Sequence, residues 1–260
     1  MSATEGAVAR GPRRTWDSNL LKLIAIAAMT VDHLAWMLFP GYDRSAPALV
    51  MHVIGRLTCP IMCFFIAEGY HYTRSKAKYA ARLLFLAVVS HFAYVFASHD
   101  FTGWRSFIPF ASGSALNQTS VVWSLLGGLL MLWVCDSERL KTPVKVGCVL
   151  LLCAVTFPAD WSCIAALCIL SIGSNRNAPK KQILWCLFYV SLYAVVYCLA
   201  LDRVYGLLQL CVVLSIPLLA RYNGRRGASP AINRVMKWLF YLYYPLHLFI
   251  IGLLQWLPQG

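Results

Sequence analysis

Apolar segments recur along this chain at the length of a membrane crossing, and alternate connections between them are rich in lysine and arginine. The runs lie near 20–39, 47–70, 79–97, 119–135, 143–158, 160–172, 182–200, 203–220 and 237–256. A helix needs about 20 apolar residues to cross a hydrocarbon core near 30 Å. The spacing therefore predicts an all-α, polytopic transmembrane helical bundle of about nine helices, of which the sixth is the shortest. Hydrophobic residues make up 60 % of the chain and charged ones 13 %, roughly half the charge of a soluble domain. Residues 1–18 read as a polar cytoplasmic tail and 19–260 as a single transmembrane domain. The first apolar run is too long for a signal-peptide core, is interrupted by Asp32 and His33, and ends without a small-x-small cleavage site, so it reads as a retained helix.

The basic residues orient this bundle. With the N-terminus in the cytoplasm, the inner segments collect Arg10, Arg13, Arg14 and Lys22, then Arg74, Lys76, Lys78 and Arg82, then Arg139, Lys141 and Lys145. Arg176, Lys180 and Lys181 follow, and then Arg221, Arg225, Arg226, Arg234 and Lys237. The outer loops hold only Arg44, Arg105 and Arg203, and Arg56 falls inside the second run. Such asymmetry is the positive-inside pattern of a bacterial inner-membrane protein. It accounts for the net charge of +13 without nucleic acid. The longest outer loop, about 98–118, carries Trp104, Phe107, Pro109 and Phe110 as an aromatic interfacial anchor. Ten cysteines fall almost entirely within apolar runs, with no C-x-x-C pair. That argues for packing rather than for disulfides or a metal site.

Ionisable groups inside a bilayer are costly, and each is a candidate for function. Asp32 and His33 lie in the first run, Arg56 in the second, His91 in the third and His247 in the last, all at similar depth. The coincidence predicts one shared hydrated cavity, with Asp32 and Arg56 free to pair. Lys22 and His33 are eleven positions apart, which on a helix returns to nearly the same face after a rise of about 16 Å. That spacing suits an extended cofactor with phosphates at the lysine and its reactive end at the histidine. Glu68 falls near the depth of Lys22 and could pair with it, and Tyr244 precedes His247 by three residues.

These residues resemble the TraX family: the Asp32-His33 pair, Gly55-Arg56-x-x-x-Pro60, a basic loop after Glu68-Gly69, and Tyr244-x-x-His247. The resemblance runs from about 20 to 256. More distantly, Lys22 with His33, and Phe64-Phe65-Ile66-Ala67-Glu68-Gly69, are similar to the first two helices of the type-3 membrane acyltransferases, with glutamate in place of a serine. The resemblance implies an acetyl-CoA-dependent acetyltransferase, acting most directly on the N-terminal amine of a pilin subunit. It implies His33 as general base, Asp32 and Arg56 as catalytic partners, and Lys22, Arg74 and Lys78 at the phosphates of acetyl-CoA. His91, His247, Tyr244 and Glu68 are then substrate-site candidates, and no metal is needed. O-acetylation of a glycan or lipid-linked saccharide uses the same donor groove and remains open. A transporter or assembly factor is the non-enzymatic alternative, although no inverted repeat of the transporter type is visible.

Overall fold

The structure, a computed structural model, describes residues 15–98, 101–108 and 116–256. Most of the N-terminal tail, with Arg10, Arg13 and Arg14, and Pro109 and Phe110 of the outer loop lie outside the described residues. Among the described residues nine apolar rods make up the bundle, with a short 3₁₀ turn at Trp104–Phe107 in the outer loop. They are α1 (Ser18–Leu38), α2 (Ala46–Tyr72), α3 (Lys76–Ala97), α4 (Val121–Cys135), α5 (Thr142–Thr156), α6 (Ser162–Ser174), α7 (Pro179–Ala200), α8 (Arg203–Ala220) and α9 (Pro230–Trp256). Six of them are long and apolar enough to cross a membrane, while α4, α5 and α6 are shorter. The chain is a multi-pass membrane protein of the all-α class. Phe85, Leu150, Leu199 and Leu242 point outward from the bundle, which in water would be an aggregation hazard and in lipid is the ordinary outer face.

Local chemistry sets the ends of these rods. Asp17 accepts from the Leu20 N–H at 2.9 Å to start α1, Ser75 caps α3, and Asp202 accepts from Val204 and Tyr205 to start α8. Pro47, Pro143 and Pro179 stand in the first turns of α2, α5 and α7, where the missing N–H costs nothing. Further inside a helix proline has the opposite effect. Pro60 cannot donate to the carbonyl four residues back, that of Arg56. There α2 breaks into Ala46–Gly55 and Thr58–Tyr72, joined by a turn at Arg56 and Leu57. In α8 the middle, Gln209–Ser215, tightens into a 3₁₀ helix just ahead of Pro217. The last helix begins at Pro230, ahead of the predicted start at 237. Its first two turns, with Asn233 and Arg234, are too polar to register as a span.

Helix packing places the site. The pairs α1–α2, α1–α9, α9–α3, α3–α4, α4–α6 and α6–α2 all touch and together close a ring. Outside it, α7 and α8 pack against α6 and α2, and α5 lies at the edge against α4 and α6. The contact between α4 and α6 is made intimate by glycine: a Cβ on Gly128 would lie 2.7 Å from Ile169 and 3.0 Å from the Ala166 carbonyl. Gly128→Ala is therefore expected to lower stability by about 1–3 kcal/mol. Gly147→Ala in α5 meets nothing within 4 Å and should be neutral or stabilising. Thermal unfolding of both variants in detergent checks this, and equal melting temperatures would refute the packing argument.

Candidate functional site

Inside the ring of helices is a cavity of about 370 Å³, within the usual range for small-molecule sites. One end is basic, with Lys22, Arg74, Arg82, Arg226 and Lys237 in its lining. The other is lined by Asp32, His33, Val121, Asp160, Trp161 and Tyr244. Lys22 and His33 thus occupy one wall, as their spacing on α1 requires. The Lys22 ammonium sits 5.2 Å from the ring centres of both Phe65 and Phe240. No carboxylate lies within ion-pair distance of it among the described residues. The two aromatic faces hold the cation by its charge and leave it available to an anion.

The deep end is built from two polar assemblies, which diverge because consecutive residues on α1 point about 100° apart. Asp32 turns toward α2, where both of its oxygens accept from Arg56 Nη2 at 2.8 and 2.9 Å. His52 Nδ1 donates to the same carboxylate at 2.9 Å. Arg56 Nη1 donates to Gln209 Oε1 at 2.8 Å, its Nε reaches the His52 carbonyl at 3.3 Å, and its guanidinium lies 5.4 Å from the Trp161 ring centre. The charge is thereby paired and its donors largely used. Gly55 makes room for this, since a Cβ there would overlap the Asp32 side chain.

His33 turns toward α9. Its Nδ1 is 2.6 Å from His247 Nε2, and His247 Nδ1 is 2.8 Å from the Tyr243 carbonyl. A carbonyl only accepts, so His247 Nδ1 carries a proton. In the neutral imidazole its Nε2 is then the acceptor, and His33 Nδ1 is the donor. The chain of roles ends on His33 Nε2, which keeps its lone pair. A basic nitrogen whose opposite side is fixed by a second group is the arrangement general-base catalysis needs. Tyr243 is itself tied to α1, its hydroxyl 2.6 Å from Thr30 Oγ1.

The sequence-predicted residues therefore separate. Asp32, His33 and Tyr244 line the cavity with Lys22 and Arg74, whereas Arg56 and His247 stand behind Asp32 and His33 and hold them. His91 does not share the cavity. It binds Thr119 Oγ1 and the Phe107 carbonyl, each at 2.9 Å, and ties down the outer loop. Glu68 pairs at 4.0 Å with Arg176 rather than with Lys22, and lines a second cavity of about 780 Å³ between α2, α6, α7 and α8. Lys78 is exposed and outside the cavity lining. Sequence reasoning passed over His52, although it lies one turn before Arg56 and so on its face. It also missed Gln209, an amide inside an apolar run, and Asp160, the first residue of the sixth apolar run. Arg82, Arg226 and Lys237 were counted for topology but not placed at the mouth.

A family model described as TraX protein matches residues 17–255. The chain belongs to the TraX family. It is 31 % identical over 244 residues to the probable fimbrial assembly protein FimC, serogroup H1, of Dichelobacter nodosus, covering 89 % of this chain and 92 % of that one. A shorter match, 39 % identical over 54 residues, is to an uncharacterized protein of Rickettsia prowazekii (strain Madrid E), and covers 21 % of this chain and 18 % of that one. No solved structure gives a significant match.

Removing one partner of the buried Asp32–Arg56 pair leaves a charge without compensation, a loss of about 3–5 kcal/mol. Asp32→Asn is expected to unfold at markedly lower temperature than the parent, and adding Arg56→Gln should recover part of the loss. A double-mutant cycle on detergent-solubilised protein measures the coupling, and strictly additive effects would rule the pair out as the tie between α1 and α2.

Proposed function

We propose that this TraX-family chain is an acetyltransferase of the bacterial inner membrane. In this reading it moves an acetyl group from acetyl-CoA to the N-terminal amine of a pilin subunit. The observation that carries the reading is the single cavity running from a cluster of cations to the free lone pair of His33. Lys22, Arg74, Arg82, Arg226 and Lys237 belong to segments that the charge pattern assigns to the cytoplasm. There they would meet the phosphates of a cytosolic donor. The rise of about 16 Å from Lys22 to His33 along α1 suits a thin arm carrying the acetyl group inward. His33 Nε2 takes the proton of the attacking amine, and His247 with the Tyr243 carbonyl holds the ring in the required tautomer. Arg56 keeps Asp32 ionised and turned away, so that the carboxylate adds a fixed negative charge beside His33 as it becomes positive.

The acceptor is the less constrained half of the reading. The similarity to a protein named for fimbrial assembly favours a pilin, whose N-terminal segment lies in the same membrane. Two measurements test the halves separately. Purified protein should transfer acetyl from acetyl-CoA to a peptide amine, and His33→Ala should abolish the transfer while still binding CoA. Full activity in His33→Ala would remove the base assignment. Mass spectrometry of pilin from cells with and without the gene should show an acetyl group on the terminal amine only when the gene is present. An unmodified amine in both strains would overturn the acceptor. For the donor site, Lys22→Met and Arg226→Met are each expected to raise KM for acetyl-CoA about tenfold, equivalent to about 1.4 kcal/mol, with kcat little changed.

A further inference from the structure

The cavity floor contains a feature that neither the base nor the cationic mouth uses. The connections before α4 and before α6 run side by side: Gln118 N–H donates to the Pro158 carbonyl and Asp160 N–H to the Thr119 carbonyl, each at 2.8 Å. This pairing brings the N-terminal ends of two helices together. Trp161 and Ser162, at φ 62 and 49, hold the left-handed backbone region, which disfavours side chains of this kind and is sustained only where the surroundings enforce it. Val121 and Val122, the first residues of α4, line the cavity alongside Tyr244 and His33. Their N–H groups are among those that a helix leaves without an internal partner, and Ser120 at the N-cap does not bond back to cap them.

Two hydroxyls meet at the start of α4, Tyr244 in the cavity lining and Ser120 outside it. Ser120 is fully buried and Tyr244 is 3 % exposed, and neither oxygen completes a hydrogen bond. The Tyr244 hydroxyl faces Ser120 and the Val121 N–H, and its ring meets that of His33 edge-on, with centroids 6.2 Å apart. The two hydroxyls and the Val121 N–H face only one another, and even full pairing among them leaves one hydroxyl proton without an acceptor, which is rare for a buried group. Here both stand at the positive end of a helix dipole, which favours negative charge.

We propose that Tyr244 Oη and the N-terminal N–H groups of α4, with Ser120 Oγ orienting the phenol, form the oxyanion site of the acyl transfer. The inference rests on the acetyltransferase reading above. In the step, the acceptor nitrogen forms a bond to the thioester carbonyl carbon, and the carbonyl π electrons move onto oxygen. His33 Nε2 takes the proton released by the nitrogen. The oxygen, now negative, receives hydrogen bonds from Tyr244 and the helix. Collapse of the adduct breaks the carbon–sulfur bond, and the departing thiolate takes the proton from His33. Donors placed where charge develops act mainly on the transition state.

The test uses full-length protein in lipid nanodiscs, with Tyr244→Phe and Ser120→Ala as conservative variants. Three quantities are read: affinity for CoA, kcat for acetyl transfer, and affinity for the hydrated trifluoromethyl-ketone analogue of acetyl-CoA, which mimics the tetrahedral adduct. Tyr244→Phe is expected to keep CoA affinity within twofold while kcat and analogue affinity each fall about 100-fold. Ser120→Ala should fall in the same direction. The basic limb of the pH–rate profile should not move, because Tyr244 donates a hydrogen bond and does not titrate in the step. Wild-type kcat and analogue affinity in both variants would overturn the oxyanion site alone, as would a parallel loss of CoA affinity, which marks collapse of the cavity. A parent protein that neither binds CoA nor transfers acetyl would overturn the acetyltransferase reading and this inference with it.

Discussion

The bundle is organised around one guanidinium. Arg56 projects from the break in α2, where Pro60 has already interrupted the backbone ladder, and meets Asp32 of α1 and Gln209 of α8, with His52 bonded to the same carboxylate. An unpaired charge there would be prohibitive, so the ion pair and its hydrogen bonds fix how three helices approach one another. The neighbour of Asp32 inherits its position from that choice. With Asp32 committed to α2, the next residue of α1 has to face α9 and the cavity, and that residue is His33. The Asp-His pair thus sends one side chain into a structural clamp and the other to the cavity wall, with no direct contact needed between them.

Much of this was readable from the chain because membrane proteins obey few and strict rules. Apolar runs of the right length, separated by connections that alternate in basic content, marked nine rods, and all nine are present. The near-identical helical phase of Lys22 and His33 placed both on one cavity wall, since α1 is regular from end to end. Depth, by contrast, was a weak guide to company. His91 lies at about the level of His33 but faces the outer loop, and only the packing of α3 against α4 and α9 decides which way it turns. Glu68 likewise stood near the depth of Lys22, and the position of α6 gave it Arg176 instead.

Residues that act from irregular backbone were the least legible. Asp160 belongs to a connection whose shape depends on pairing with the segment before α4, some forty positions earlier. Gln209 reaches Arg56 from a tightened 3₁₀ turn that no hydrophobic pattern announces. The cations at the cavity mouth come from α1, from the connection after α2, from α3, and from the connection before α9 and its first turns. Each had a sufficient explanation in topology, and only the three-dimensional arrangement shows that they also surround one opening.

The brevity of α4 and α6 has a consequence for the membrane itself. Helices of 15 and 13 residues rise about 22 and 20 Å, against a hydrocarbon core of about 30 Å. Neither crosses that core alone, and their connections are satisfied by bonding to each other rather than to lipid. Most of α4 and α6 is buried against neighbouring helices rather than turned to lipid. With their far ends at one interface, the paired connections before α4 and α6 would lie short of the other by roughly 8–10 Å. A hydrophilic terminus approaching from that side would have to cross only part of the hydrocarbon layer.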